Sequence, residues 1–543
     1  MEERRIPVLV VGGSLVGLST SVLLASYGVP HLVVEGHAGT AIHPRAASFH
    51  QRTMEIFRSV GLQRAVEHAA AREFRQNGAI IAVESLGGKE LTYFYRSYND
   101  GVEGLSPTSR LFLTQVGLEP LLRDQAARLG AEHLFGADLV SFEQHDDHVV
   151  SLIRPRDERP EQVVTSDYLV AADGAHSAVR EQLGIPMSGR GTFADCVTIY
   201  FRSDVNDLLG DRNLSVVYVN HPELLGFFRF SFDGDAGFLA VFATFDADGA
   251  RSTDVAQDVS AERCTELVRT ALGAKPDHPI AIESVQRWSA SAATAESFHR
   301  GRVFLAGDSA HVMPPTGGFG GNTGVADAHN LAWKLAYTVK GVAGPGLLDT
   351  YDAERRPIGA VTVEQAYTRY VTRVDPSLPQ DDLMPPLDDA AIELGAINRS
   401  TAVRSDEEPT DTLDDPHACR WTVGARVPHV PVSRDGTETS SLDVPGRGFA
   451  VLVTEEHQAW RDAAADVEQA YGVPVSVEAI DPRDVGEVGP ASSGGADTSV
   501  TSWRGAALVR PDGVLAWKPD RPAREAAHRL AGVVSEILCV QGR

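Results

Sequence analysis

The chain has 543 residues, with 49 Lys and Arg against 74 Asp and Glu for a formal charge of -25; 43% of its residues are hydrophobic and 23% charged. That length exceeds one hydrophobic core and implies two or three domains of an ordinary globular protein. The acidic balance argues against nucleic acid or an anionic membrane surface as a partner, because both call for basic patches. Cys196, Cys264, Cys419 and Cys539 lie far apart and form no C-x-x-C, which fits a reducing cytoplasm and argues against a disulfide framework or a cysteine zinc site.

Ile6 to Ala25 is largely apolar after Arg4-Arg5 and could pass for a secretory signal. Glu2 and Glu3 leave little positive charge before it, and Gly12, Gly13 and Gly17 interrupt it. No other stretch is long enough to span a bilayer. Val8 to Val11 is instead a β-branched run of the kind found in central parallel strands. Gly12-Gly13-Ser14-Leu15-Val16-Gly17 follows, then an apolar helix to Tyr27, a stop at Gly28 and the strand His31 to Val34, ending at Glu35. This is the pattern of a dinucleotide-binding strand–helix–strand unit with its acid 18 residues beyond Gly17,. Ser14 stands where the middle glycine belongs; its Cβ crowds a pyrophosphate while its hydroxyl could donate to one. Glu35 would accept from ribose hydroxyls and repel a 2′-phosphate, favouring FAD or NAD over NADP at this site.

Arg110-Leu111-Phe112-Leu113-Thr114-Gln115 opens a helix expected to run through Ala127, and short strands follow at Leu139–Phe142, Val149–Arg154, Gln162–Val164 and Tyr168–Ala171,. His145 and His148 invite a metal reading, but they fall where a hairpin turn should be. Asp173-Gly174 closes the last of these strands before a helix. From Phe193 to Arg287 alternating segments, among them Ser215–Val219, Gly226–Phe232 and Leu239–Phe245, read as antiparallel strands with one buried face, and Val255–Leu272 as one amphipathic helix. Tyr218, Phe228, Phe230 and Trp288 are candidates for packing a flat aromatic ligand, with a plain core role equally open to each.

Val303 to Leu305 is another short strand, ended by Gly307-Asp308. The loop from Pro314 to Gly324 holds two prolines and five glycines, and a helix is expected from Gly324 to Lys334,. The Asp308 carboxylate can accept from hydroxyls of a ribose-like or ribityl chain. The bare backbone of Gly317, Gly318, Gly320 and Gly321 lets N–H groups approach a flat or anionic group, with a helix N-terminus behind them. Gly307-Asp308-Ser309-Ala310-His311 is no hydrolase nucleophile elbow, since His311 stands where that motif needs glycine. Arg373 to Asp415 is rich in proline and acid and reads as an irregular connection. Beyond it, strand Phe449–Thr454, helix Gln458–Tyr471, strands Val475–Ile480, Ala506–Val509 and Val514–Trp517, and a helix Arg521–Leu538 give a β-α-β-β-β-α order.

GDSAHVMPPTGGFGGNTGVADAHNLAWKLA, from Gly307, with LLDTYDAERRP from Leu347, closely resembles the flavin-dependent aromatic hydroxylases of the para-hydroxybenzoate hydroxylase class. Within it, the chain looks most like the branch that acts on aromatic polyketides, such as the aklavinone and tetracenomycin hydroxylases. The resemblance implies an α/β architecture: a discontinuous Rossmann-like FAD-binding domain (1–180 and 288–372), an inserted α+β substrate domain built on an antiparallel sheet (181–287 with part of 75–105), a linker (373–415) and a thioredoxin-like C-terminal domain (416–543) without redox cysteines. It implies that Asp308 holds the ribityl chain and that Pro315 to Asn322, including Gly318, Gly320, Gly321 and Asn322, lines the isoalloxazine. It further implies that Arg45 reaches the FAD phosphates beside a mobile flavin, that Gln115 contacts FAD, and that Asp173 sits near the pyrophosphate. The implied chemistry is reduction of non-covalent FAD by transiently bound NADH or NADPH, addition of O2 to give a flavin C4a-hydroperoxide, and hydroxylation of a polycyclic aromatic ring. A Baeyer–Villiger or other oxidative rearrangement on the same scaffold is the alternative. A cytoplasmic monomer or homodimer is expected, and no general base is identified.

Overall fold

The β-branched run near the N-terminus becomes the strand Glu2–Val11, paired in parallel with Gln162–Ala171 on one side and His31–Glu35 on the other. Val8, Leu9 and Val10 are wholly buried, as a strand covered on both faces requires. A computed structural model of the chain describes all residues except 1, 43–46, 246–247, 250, 253–254, 406–410, 419–420, 435, 456, 482–485, 489–499, 503–504, 520–522 and 541–543. Val303–Leu305 extends the parallel sheet beyond Gln162–Ala171, and Glu132–Phe135 extends it beyond His31–Glu35. The hairpin Ala137–Gln144 and Val149–Pro155 joins through Gln162–Ala171, which is one continuous strand rather than the two short ones expected. The helices Leu15–Ser26, Gln115–Arg128 and Phe319–Val339 pack together beside this sheet.

The second sheet has nine strands, mostly antiparallel. Its longest members, Met187–Arg202 and Ala281–Ala295, pair along most of their length, and the second runs on past residue 287 to meet the short strand His311–Val312. Ala79–Val83 and Glu90–Tyr95 complete the far edge. One face packs on the helix Ala261–Leu272. That helix starts six residues later than the sequence suggests, because the Ser260 hydroxyl accepts from Arg263 N–H and caps it,. The other face packs on the long helix Gly346–Arg373.

A four-stranded sheet in the order Val475–Ala479, Phe449–Val453, Ala506–Val509, Leu515–Trp517 forms the C-terminal part, with the helix His457–Tyr471 connecting its parallel pair. The last helix is split into Ala523–Ala527 and Leu530–Ile537. A buried charge cluster ties this sheet to the rest. Glu354 accepts from Lys334 Nζ at 2.8 Å and from Arg510 Nη1 and Nη2 at 2.6 and 3.0 Å, and Arg510 also pairs with Asp512. Lys334, Glu354 and Arg510 have no exposed side-chain surface.

Candidate functional site

Three backbone turns meet at the carboxyl ends of the parallel strands. Gly12 lies at φ +103°, and a Cβ there would come within 2.6 Å of the Ala172 carbonyl carbon. A Cβ on Gly17 would stand 2.9 Å from the Gly12 carbonyl carbon. Only glycine admits such close approach of main chain to main chain. Val16 is the wedge between the first turn and the third: added methyls on Gly307 or Gly324 would meet its Cγ2 at 2.7 and 2.5 Å. The Ser309 hydroxyl donates to Ala171 O at 2.7 Å and Arg180 Nη1 to Ser309 O at 3.1 Å, binding the third turn to the second. Ser309 is thereby fully buried and spent on main-chain carbonyls, and His311 bonds the buried Asp327 at 2.7 Å. Neither is placed for nucleophilic work.

Polar groups around these turns show which positions are open. Gly13 N–H donates to Glu35 Oε2 at 2.6 Å, while His37 N–H donates to Glu35 Oε1 at 2.8 Å. Asp173 accepts from Val179 N–H through Oδ2, but its Oδ1 is buried with no hydrogen-bond partner among the described residues. Burial raises the pKa of this carboxyl, and the bare oxygen is a ready acceptor for a ligand donor. Asp308 is exposed between buried neighbours in the turn Gly307–Ser309. The glycine-rich loop ends at Gly318, and the helix begins at Phe319, five residues before the expected Gly324. Gly320 and Gly321 are therefore in its first turn, where N–H groups lack intrahelical partners, and Pro315 is exposed just before it. Asn322 braces the loop: its amide donates to Ser48 O and Gly318 O and accepts from His50 N–H and the Thr53 hydroxyl. Arg45 falls outside the described residues.

One residue absent from the sequence reading is central here. Glu119 is wholly buried and accepts from the Ser14 hydroxyl at 2.6 Å, Ala41 N–H at 2.7 Å and Gln115 Nε2 at 3.1 Å, with Leu15 N–H also directed at it. Its carboxyl therefore occupies the N-terminal turn of the first helix, and burial holds its pKa above the usual range. Gln115 also donates to Ser14 at 3.2 Å. Gln115 and Glu119 are four apart on one helix face, the spacing that would have pointed to the pair.

On the second sheet Tyr218 and Trp288 share the face toward the helix Gly346–Arg373, with Phe242 and Tyr370. Trp288 Nε1 donates to the Thr198 hydroxyl at 3.0 Å. The Tyr218 phenol lies beside the Arg373 guanidinium, which sits over the Phe94 ring at 5.2 Å, and burial raises the phenol's pKa. Phe228 and Phe230 are not brought to this face. Tyr218 pairs across the strands with Phe227, so alternation turns Phe228 and Phe230 to the opposite side, where they join the core under Ala261–Leu272 and stack on each other at 5.1 Å. Phe227 and Arg229 take their place. Arg229 is buried over the Phe112 ring at 3.9 Å, donates to Ala47 O at 2.8 Å, and is lowered to about 10 by burial. His145 and His148 stack at 4.6 Å across the hairpin turn, and no cluster of metal-ligating residues occurs among the described residues. No helix among them is long and apolar enough to cross a membrane.

Residues 5–366 match the FAD binding domain family, and residues 420–539 match the C-terminal region of aromatic-ring hydroxylases. A 4-methyl-5-nitrocatechol 5-monooxygenase of a Burkholderia sp is 43% identical over 538 residues, with 98% of both chains covered. A tetracenomycin A2 monooxygenase-dioxygenase of Streptomyces glaucescens is 36% identical over 560 residues, covering 99% of this chain and 98% of that protein. The crystal structure of aklavinone-11 hydroxylase with FAD and aklavinone superposes with a TM-score of 0.88 at 36% identity, over 99% of this chain and 100% of that one.

Proposed function

Because the chain belongs to the FAD-dependent aromatic-ring hydroxylases, we propose that it hydroxylates a polycyclic, polyketide-type phenol at the expense of NADH or NADPH and O2. It is a flavin-dependent aromatic monooxygenase; the ring system and the residue roles are the proposal. Bound FAD supplies the electron transfer from the nicotinamide and the activation of O2. Supporting a dinucleotide here is the meeting of three turns at one point, with Val16 wedged against Gly307 and Gly324 and the main chain of Gly12 against Ala172. Gly12, Ser14, Leu15, Val16 and Gly17 would hold the pyrophosphate, Glu35 the adenosine ribose and Asp308 the ribityl hydroxyls. The unpartnered Asp173 Oδ1 would accept from a ligand donor. Pro315, Gly318, Gly320 and Gly321 would run along the ring system, held in place by the Asn322 brace.

The substrate role falls to the sheet face carrying Tyr218 and Trp288. A phenol beside a guanidinium, among aromatic side chains, is suited to orient a substrate hydroxyl and to stabilise its ionised form. Phe227, Phe242 and Trp288 supply flat apolar surface that excludes water, which an oxygen-activating site needs. Ring hydroxylation is favoured over oxygen insertion beside a carbonyl because the named relatives are monooxygenases and hydroxylases of aromatic rings.

The test is direct. Purified protein should be yellow, and a panel of polycyclic phenols and quinones should include a compound that stimulates NADPH or NADH oxidation and gains one oxygen with its rings intact. Stimulation by nitrocatechols alone would replace the polycyclic assignment, and an ester or ring-opened product would overturn hydroxylation.

A further inference from the structure

A cavity of about 70 Å³ lies between the helices Gln51–Ser59, Phe319–Val339 and Gly346–Arg373 and the C-terminal hairpin, bounded by Arg52, His329, Arg355, Arg426 and Asp512. Asn322 and His50 separate it from the glycine-rich loop: His50 Nε2 bonds Gly317 O at 3.1 Å, and Asn322 bonds Gly318 O. The flavin reading makes no use of this space.

Two observations point to what it holds. His329 is 8% exposed and lines the cavity; its ring makes no hydrogen bond among the described residues, and its nitrogens are not fully sealed, so they open onto the cavity. A buried imidazole without partners costs stability unless something in the space satisfies it. The second observation is charge. Arg52 and Arg426 share one carboxylate, Glu55, at 3.0 and 2.5 Å. The neighbouring charges are otherwise matched: Arg355 pairs with Asp327, Lys334 and Arg510 with Glu354 and Asp512, and the lining carboxylate Glu393 with Arg110. The wall therefore carries one surplus positive charge beside an unsatisfied imidazole. The volume exceeds the roughly 30 Å³ that a water takes in the liquid.

We propose that this interdomain cavity binds a small inorganic monoanion of halide or nitrate size, held by Arg52, Arg426 and the His329 N–H. Such an ion would tie the C-terminal hairpin to the helix whose first turn follows the glycine-rich loop. The inference does not depend on the flavin reading.

The test uses the full-length holoprotein. Thermal unfolding is followed in sodium bromide and sodium chloride against sodium gluconate, an anion too large for the cavity, at equal ionic strength. A saturable rise of about 2 °C is expected with the halides, together with a bromide anomalous peak beside His329 in crystals. Ala326→Leu, which fills the space, or His329→Leu should abolish both. If neither variant folds, the wild-type bromide peak decides alone. Absence of that peak, with water or nothing in the cavity, overturns the proposal, as does a halide effect that survives in either folded variant.

Discussion

Gly17→Ala is the sharpest test of the claim that the turns form one cradle. The residue is helical, so alanine brings no backbone penalty and should even favour the helix. Its new methyl, however, would lie 2.9 Å from the Gly12 carbonyl carbon, a main-chain atom that cannot rotate away. The Gly12 carbonyl oxygen stands nearer still, so reaching ordinary contact requires the helix and the Gly12 turn to separate by more than about 1 Å,. A shift of that size misdirects the N–H groups of the first helical turn. Hydrogen bonds to a charged group contribute about 1.5–3 kcal/mol each, so losing two should weaken FAD binding by about 100-fold or more. Gly28→Ala is the control. Gly28 lies just past the end of the same helix at φ +67°, with nothing near a would-be Cβ. That variant should lose about 1 kcal/mol of stability and keep its FAD affinity. Fluorescence titration of apoprotein with FAD reads both. If Gly17→Ala, folded by circular dichroism, binds FAD within threefold of wild type, the cradle does not lie where the turns meet.

Glu354→Ala strands Lys334 and Arg510 in the interior and should cost about 3–5 kcal/mol in denaturant unfolding; a loss under about 1 kcal/mol would mean the cluster is not what holds the C-terminal sheet. Glu119 gives a pH dependence. Burial raises its carboxyl pKa, so it is protonated in mild acid and gains a negative charge, at the helix turn assigned to phosphates, as pH climbs above the ordinary carboxylate range of about 4.3. The FAD dissociation constant should therefore increase with pH, and Glu119→Gln should flatten the profile; identical slopes for the two proteins would refute this. Arg373→Met removes the positive charge beside the Tyr218 phenol and should lower kcat/KM for the aromatic substrate about 10- to 100-fold, the range of one charged interaction with an ionised substrate hydroxyl, while flavin content stays unchanged. Flavin loss instead would place Arg373 in the cofactor site.

What was legible in the sequence follows one physical division. Val8–Val11, buried on both faces, has to be a continuous apolar run, and Glu35 marks the strand end through residue type alone. The Phe319–Val339 helix starts before the sequence expectation: Gly320 and Gly321 are poor helix formers, but in the fold the Asn322 amide reaches Ser48 and Gly318 and fixes the N-terminal turn. The helix Ala261–Leu272 is shorter than its apolar stripe suggests, because a stripe shows a face and not an end, and Ser260 marks the end locally. Phe228 and Phe230 illustrate a deeper limit. Alternation places them together on one face, but which face depends on the pairing of Tyr218 with Phe227, and a one-residue slip would have reversed it. Glu119 is 105 residues from Ser14, and Glu354 is 156 from Arg510, so no local window contains either pair. Periodicity reports which side of an element is buried. The partner across that side is chosen by tertiary pairing, and the polar residues that set the electrostatics of the cradle and the domain junction belong to that class. They are therefore read from the fold first, with sequence spacing such as Gln115 to Glu119 serving as the check.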